Sequence, residues 1–342
     1  MRLASVALVG GPTMLVLLGP WVAARLFDGR APARTVATFH LLALAGMAAL
    51  PLVALPCLAV IRPADLSALA SLNVIRVAQT AARALAAAYL LRIAWVAVHT
   101  SRATSRLATN TAQAAADRLP TSGGLLIHVV ASQRPIAFIL GGRAGGVVVS
   151  SGLLTLLDDQ ERDAVLAHEL AHLRLRHHRL LRFAQVVSTT LGAAVPAAAD
   201  AGALLARELE VIADQAAATQ VGDRRVVARA LARAALATAG ATRAPSPALA
   251  FGGERDLVYR LDRLLEDPRR QDRCGVAAGA IGLLAAGLVA IMAGAVQPTD
   301  PVGGVIVVGV TLLGIGWLSW RAVVPPSRLH RSRAQDTAAV EP

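Results

Sequence analysis

The sequence predicts a mainly α-helical membrane protein that carries a small β-sheet in its middle third. Three observations predict this class. Hydrophobic residues make up 55% of the 342 residues and charged residues only 16%, which is well on the apolar side of ordinary soluble domains. Several apolar windows approach or exceed the length that crosses a bilayer. Between them lies a segment with helical spacing of apolar residues and short β-rich runs.

The membrane region is predicted from five apolar windows, which are residues 3–27, 36–61, 81–98, 276–296 and 302–324. Each is long enough, or nearly so, to cross the hydrocarbon core. Arg83 and Arg92 interrupt the third window, and an arginine inside a membrane must face protein or reach the interface.

These windows divide the chain into regions. We expect three spans in residues 1–98, two spans in residues 274–324, and a basic tail in residues 325–342. Residues 99–273 then form one domain between the third and fourth spans.

The arginines predict the orientation. Several follow the first window and several lie in the tail, whereas the loop 297–301 carries Asp300 and no positive charge. The positive-inside rule places the first loop, the tail and residues 99–273 in the cytoplasm of a multi-pass plasma-membrane protein. The net charge is +12, but aromatic residues are only 3% and no nucleic-acid-binding motif is present. The charge therefore indicates lipid head groups as the partner rather than nucleic acid.

The segment His168-Glu169-Leu170-Ala171-His172 has the spacing H-E-x-x-H inside a helical pattern. Residues four apart share one face of a helix, so His168 and His172 can offer two imidazole nitrogens to one metal ion. Glu169 lies beside them and can act as a general base toward a water molecule. A catalytic zinc site of this kind needs one further protein ligand.

The third ligand is sought in the downstream helix. Glu210 and Asp214 are four residues apart and share a helix face, so Glu210 can bind the metal while Asp214 orients a ligating histidine. Two alternatives stay open. The pair can be a solvated acidic face, and Glu208 competes as ligand, although it points about 200° around the helix from Glu210.

The run ahead of the H-E-x-x-H helix predicts a small sheet, with strands at residues 126–131, 136–140 and 147–150. The glycine-rich residues 141–146 lack the G-K-[ST] ending of a phosphate loop, so they predict a hairpin. An edge strand of such a sheet can pair with an extended substrate. Asp158 or Asp159 is expected to cap the following helix.

The apolar window 180–205 is predicted to be a helical hairpin rather than a span. A straight helix across a core of roughly 30 Å would leave His172 and Glu210 on opposite sides of the membrane. Pro196 and Gly202 bound a predicted turn. We expect the tip of a hairpin near residues 180–206 to dip into the bilayer or pack on the spans, with the site at the cytoplasmic membrane surface.

Other polar residues are expected to have simpler roles. His177 and His178 are predicted to be cations at the C-terminal end of a helix, with contact to the transition state as the alternative. Isolated histidines are expected to be structural or exposed: His40, His99, His128 and His330. Three arginines near the end of residues 99–273 are expected on a solvated or membrane-surface face: Arg255, Arg260 and Arg263.

Residues 85–265 resemble the membrane gluzincin peptidases. The resemblance rests on the runs 135–140 and 147–154, the H-E-x-x-H helix and the E-x-x-x-D pair. The pattern is most similar to the BlaR/MecR-type signalling metallopeptidases, with the HtpX and CAAX-prenyl-protease type as the near relative. The resemblance implies a zincin-like domain with one zinc ion held by His168, His172 and Glu210, Glu169 as catalytic base, and one functional arginine near residues 255–263. Receptors of the BlaR/MecR type carry a large extracellular sensor, which we do not expect here.

We therefore expect an integral-membrane zinc endopeptidase with a protein or peptide substrate. The resemblance implies regulated cleavage of a cytosolic protein such as a transcriptional repressor. An HtpX-like protease for membrane protein quality control is the first alternative. A non-catalytic membrane receptor with structural zinc is the second, but a structural site has no use for Glu169 as a base.

The orientation is testable by labelling single cysteines in a background without Cys57 and Cys274. An impermeant reagent should label a Thr299→Cys probe from outside the cell, because loop 297–301 is predicted to be external. Probes at Ser246 and Ser332 should stay protected until the membrane is opened. Labelling of Ser246→Cys from outside would reverse the orientation.

Overall fold

The computed structural model describes residues 31–60, 72–120, 126–140, 146–239 and 254–266. The predicted windows 3–27, 276–296 and 302–324, the basic tail, His330 and the hairpin residues 141–145 lie outside these ranges.

The described residues form helices around a small sheet. Two long helices come first, α1 (Ala33–Val60) and α2 (Leu72–Ala114). The strands follow as β1 (Ala115–Pro120), β2 (Leu126–Val130), β3 (Ala137–Leu140) and β4 (Gly146–Ser150). The remaining helices are α3 (Ser151–Leu156), α4 (Asp159–Arg174), α5 (His177–Leu191), α6 (Pro196–Val221), α7 (Arg224–Ala239) and α8 (Glu254–Leu265). A mainly helical protein with a small sheet is therefore confirmed.

The sheet is mixed, with the strand order β1-β2-β4-β3. β2 and β4 are parallel, and the two outer pairs are antiparallel. The antiparallel pairing of β3 with β4 confirms the predicted hairpin. β1 was not predicted, because its sequence Ala-Ala-Asp-Arg-Leu-Pro lacks the β-branched and aromatic residues of a strand. Pairing with β2 holds it in the sheet.

Helix α4, which carries H-E-x-x-H, is anchored at its first turn by a capping box. The Asp158 carboxylate accepts from the Glu161 amide at 2.8 Å, and the Glu161 carboxylate accepts from the Asp158 amide at 3.1 Å. Asp158 is thus the predicted N-cap. The carboxylate of Glu161 is buried and also accepts from Arg233 of α7 at 2.6 Å. The charge of Glu161 is therefore compensated, and the start of α4 is tied to α7.

Helices α5 and α6 form the predicted hairpin, but the turn lies elsewhere. The connection is residues 192–195, and Pro196 begins α6. The prediction of a turn over residues 196–202 is wrong, because proline at the first helical position is pre-organised for a helix. Gly202 lies inside α6, where a Cβ would come 2.3 Å from the Ser188 hydroxyl oxygen of α5. Gly202 allows the two helices to approach closely.

The two long helices pack against this hairpin. Leu41, Leu44 and Met47 of α1 are buried in one cluster with residues of α5 and α6 such as Leu205. Tyr89 of α2 donates to the Ala48 carbonyl of α1 at 3.0 Å. The predicted windows 36–61 and 81–98 thus correspond to parts of α1 and α2.

Membrane crossing is supported for one segment of the described residues. Arg76–Thr111 is long and apolar enough to cross a membrane by length and composition. On α2, Val77, Leu91 and Trp95 are among the large apolar side chains that are exposed. The five-span arrangement and the membrane-dipping tip of the hairpin remain predictions from the sequence.

The close approach at Gly202 is testable by a double-mutant cycle. Gly202→Ala in the natural sequence should be neutral or destabilising, because the new methyl group displaces the Ser188 hydroxyl from its 2.9 Å bond to the Ala198 carbonyl. In a Ser188→Ala background the same change should stabilise by up to about 1 kcal/mol, the helix preference of alanine over glycine. Thermal unfolding in detergent measures both. Additive effects would contradict the packing described here.

Candidate metal centre

Helices α4 and α6 bring three potential metal ligands to one point. The Nε2 atoms of His168 and His172, on successive turns of α4, are 3.1 Å apart. Glu210 of α6 places one carboxylate oxygen 3.4 Å from His168 Nε2 and the other 3.3 Å from His172 Nε2. Each residue therefore directs a donor atom into the same small space, and all three donor atoms lie within 4.8 Å of one another.

The spacing fits a small tetrahedral cation. Zinc binds imidazole and carboxylate ligands at about 2.0–2.1 Å, so tetrahedral ligand atoms stand about 3.3 Å apart. The 3.1 Å between the two histidine Nε2 atoms is close to that edge, and each Nε2 has a different Glu210 oxygen at a similar distance, 3.4 and 3.3 Å. Two imidazoles and one carboxylate are also a donor set that zinc takes in catalytic sites, leaving a position open. These residues can hold a zinc ion.

Asp214, one turn after Glu210, contacts the ring nitrogen of His168 that faces away from the cluster and so orients the ring. Its carboxylate lies 2.9 Å from His168 Nδ1, so the other ring nitrogen, Nε2, faces the cluster. Burial disfavours the imidazolium, but hydrogen bonds to Asp214 and Glu210 outweigh it and raise the pKa of His168 to about 10. The two carboxylates therefore make this space strongly favourable for a cation.

Arg260 of α8 supports both carboxylates. It donates to the two oxygens of Asp214 at 2.8 Å each and lies 3.2 Å from a Glu210 oxygen. Although burial alone would raise the pKa of Asp214, Arg260 lowers it. Burial likewise opposes ionisation of Glu210, but His172, His168 and Arg260 hold its pKa well below the usual range. Both carboxylates are therefore ionised at neutral pH.

Glu169, unlike Asp214 and Glu210, forms no ion pair with Arg260. It follows His168 on α4, and within the described part of the chain no group donates a hydrogen bond to it. Burial raises the pKa of Glu169, and the neighbouring His168 and His172 oppose the increase. A carboxylate with a raised pKa is a stronger base, and Glu169 is free to receive a proton from a water molecule at the site.

The predicted role of His177 is wrong. α4 ends at Arg174 and α5 begins at His177, so this histidine is not a surface cation at a helix C-terminus. Its side chain is buried, and its Nδ1 lies 3.0 Å from the Nδ1 of His172. Burial, together with His172, lowers the pKa of His177 to about 3, so the ring is neutral. His178 is half-buried on the same turn and is not one of the three potential ligands.

Glu208, the competing ligand, points away from the cluster. It is fully buried, and its Oε1 accepts from the Tyr259 hydroxyl of α8 at 2.8 Å. The Arg207 guanidinium lies 4.0 Å from the centre of the Tyr259 ring. Burial and the Glu208 carboxylate both raise the pKa of Tyr259. Glu208 therefore fastens α8 to α6 from the opposite side.

The prediction that the arginines of α8 lie on a solvated or membrane-surface face is wrong for Arg260 and Arg263. Arg260 is directed at the site, because the buried Asp214 carboxylate needs a counter-charge. Arg263 is buried and donates to the Ala31 carbonyl at 2.5 Å. The Arg255 side chain lies outside the described residues.

The three isolated histidines within the described residues lie outside the cluster. His40 is buried in α1 and His128 in β2. His99 is exposed on α2, where its ring stacks on Trp95 with centroids 5.3 Å apart. These positions agree with the predicted structural or exposed roles.

Residues 101–252 match the sequence model of Peptidase family M48. The matched range contains both cluster-forming helices, α4 and α6, and ends before α8.

Curated relatives match shorter segments. The plastoglobule-localized metallopeptidase 48 of Arabidopsis thaliana is 42% identical over 87 residues, 25% of this chain and 24% of the relative. The HtpX protease homologue of Aquifex aeolicus is 37% identical over 68 residues, 19% of this chain and 22% of the relative. The HtpX protease homologue of Sulfurovum sp. is 38% identical over 69 residues, 20% of this chain and 24% of the relative. The matches thus span about a quarter of each relative's length.

No solved structure matches this chain. The sequence similarities support a metalloprotease of the M48 type, with HtpX proteases among its relatives. Assignment to the BlaR/MecR type stays a prediction from the motifs.

The ligand set is testable with a matched pair of variants on α6. Purified protein in detergent should contain about one zinc ion per chain. Glu210→Gln should lose most of it, because a neutral amide replaces the carboxylate that faces both histidines. His168→Ala should do the same.

Glu208→Gln is the control for this loss, since it makes the same chemical change two residues away and keeps an acceptor for Tyr259. Metal analysis by mass spectrometry gives the zinc content of each variant. Full zinc content in Glu210→Gln, with loss in Glu208→Gln, would show that the third ligand is misassigned.

Proposed function

We propose that this protein is an integral-membrane zinc endopeptidase whose active site is the cluster formed by α4 and α6. The observation that carries this proposal is the convergence of two imidazoles and one carboxylate, whose donor atoms lie within 4.8 Å of one another with the two Nε2 atoms 3.1 Å apart. Glu169 lies beside them with its carboxylate unpaired among the described residues. A structural zinc site has four protein ligands and needs no adjacent base.

The residues divide the chemistry of peptide hydrolysis among them. When bound, zinc supplies a Lewis acid that polarises the scissile carbonyl and lowers the pKa of water. Glu169 takes a proton from the attacking water and delivers it to the leaving amine. Asp214 and Arg260 keep His168 aligned through the whole cycle, because their bonds to each other and to the ring do not involve the substrate.

The sheet offers a place for the substrate. β3 is an edge strand of the sheet and packs against α4, which carries the site. An extended peptide paired with an edge strand gains main-chain hydrogen bonds that are independent of its sequence. We propose a protein or peptide substrate held in this way.

Lipid contact is proposed for the apolar face of α2. Leu91 is 71% exposed and Val77 is 69% exposed, within a segment long enough to cross a bilayer. Arginines flanking the apolar windows of the sequence favour an active site at the cytoplasmic side of a multi-pass protein.

For the biological role we propose regulated cleavage of a cytosolic protein, such as a transcriptional repressor, as the motif pattern of the BlaR/MecR type implies. A second candidate is the removal of damaged membrane proteins, and the similarity to HtpX protease homologues favours it. N-terminal peptide sequencing of whole cells that carry active or Glu169→Gln enzyme separates the two. New termini in one soluble DNA-binding protein support regulation, and new termini in many membrane proteins support quality control.

Catalysis is testable by a single isosteric change. Glu169→Gln should keep zinc and thermal stability and lower peptide hydrolysis by about 10²–10⁴-fold, the usual contribution of a general base. Asp163→Asn is the matched control, because it removes one exposed carboxylate from the same helix, away from the cluster. Turnover is measured on self-cleavage or a casein-type substrate at equal protein concentration. Undiminished cleavage by Glu169→Gln would leave the structural-zinc receptor as the better account.

A further inference from the structure

The two histidines of the H-E-x-x-H segment have different partners behind them. His168 Nδ1 faces the Asp214 carboxylate at 2.9 Å. His172 Nδ1 faces the Nδ1 of His177 at 3.0 Å. The rings of His172 and His177 meet nearly edge to face, with centroids 4.8 Å apart and an interplanar angle of 84°. His177 is buried, so this contact excludes solvent from the back of His172.

Metal binding would define which nitrogen carries each proton, since the Nδ1–Nδ1 contact by itself allows donation in either direction. A histidine that binds a metal through Nε2 carries its proton on Nδ1 and donates from there. His172 Nε2 faces the cluster, so with a metal bound there its Nδ1–H would donate to His177. His177 would then accept with an unprotonated Nδ1 and carry its proton on Nε2.

The backbone between the two helices places His177 in this position. α4 ends at Arg174, and Arg176 has φ 56°, the one left-handed residue other than glycine in the described ranges. Arginine in this conformation is uncommon, and such residues persist where the surrounding structure requires them. The turn at Leu175 and Arg176 separates the two helices, and the first side chain of α5 lies against His172.

We propose that His177 is a positioning residue that holds His172 in the orientation and tautomer needed to bind the metal. This inference rests on the metal centre proposed above. It gives the centre two kinds of support: a carboxylate behind His168 and an uncharged imidazole behind His172. Because the second acceptor is neutral, it fixes His172 without adding a negative charge to a space that already contains Glu210, Asp214 and Glu169.

Three variants of the full-length protein in detergent test this role. His177→Leu removes the acceptor and keeps an apolar side chain of similar size. His177→Asn places a carbonyl oxygen close to the position of the original Nδ1 and so keeps an acceptor. His178→Leu makes the first change at the neighbouring histidine, which is not one of the potential ligands, whereas the contact with His172 is made by His177.

Zinc affinity is measured by competition with a chelator, and the coordination geometry by the visible absorption of the cobalt(II)-substituted protein. His177→Leu should lower zinc affinity by about 10–100-fold, the usual effect of losing the partner of a ligating histidine. It should also change the cobalt spectrum. His177→Asn should restore affinity and spectrum towards those of the natural protein, and His178→Leu should leave both unchanged.

Natural zinc affinity in His177→Leu would overturn the proposal, as would equal losses in the Leu and Asn variants, because the loss would then come from packing. If His177→Leu does not fold, His177→Gln replaces it, since its amide extends beyond the position of Nδ1. If the natural protein itself binds no zinc, that result refutes the proposed function instead.

Discussion

The buried carboxylate of Asp214 is the interaction on which the site depends. It is 2% exposed and lies between the His168 ring at 2.9 Å and the Arg260 guanidinium at 2.8 Å. A buried charge is costly unless it is paired and hydrogen-bonded, and removal of either partner would leave the other charge uncompensated. Asp214 therefore requires α4, α6 and α8 to meet at one place. The same meeting places Glu210 opposite His172.

The parts of the site that the sequence predicts are those set by local geometry. Helical periodicity alone places His168 and His172 on one face, and it places Glu210 and Asp214 on one face of the later helix. The cap at Asp158 is local as well, because its partner lies three residues along the chain. Such features depend on neighbours within about one helical turn, which the sequence displays directly.

The parts that were missed depend on neighbours distant in the chain or on a break in a helix. Arg260 meets Asp214 across 46 residues, and nothing local distinguishes it from Arg263. The sequence predicts His177 at the end of a helix because the left-handed turn at Arg176 has no glycine to mark it. β1 is a strand only because β2 pairs with it. A buried acidic residue such as Asp214 signals that a cation must face it, but only the fold shows which one.

The central claim is that two imidazoles and one carboxylate hold a zinc ion between α4 and α6. Zinc K-edge X-ray absorption of the purified, detergent-solubilised protein tests it most directly. We expect a first shell of nitrogen and oxygen alone at about 2.0–2.1 Å, with the multiple scattering of two imidazole rings. A sulfur shell near 2.3 Å, or scattering from fewer than two imidazoles, would contradict the ligand set and the mechanism built on it.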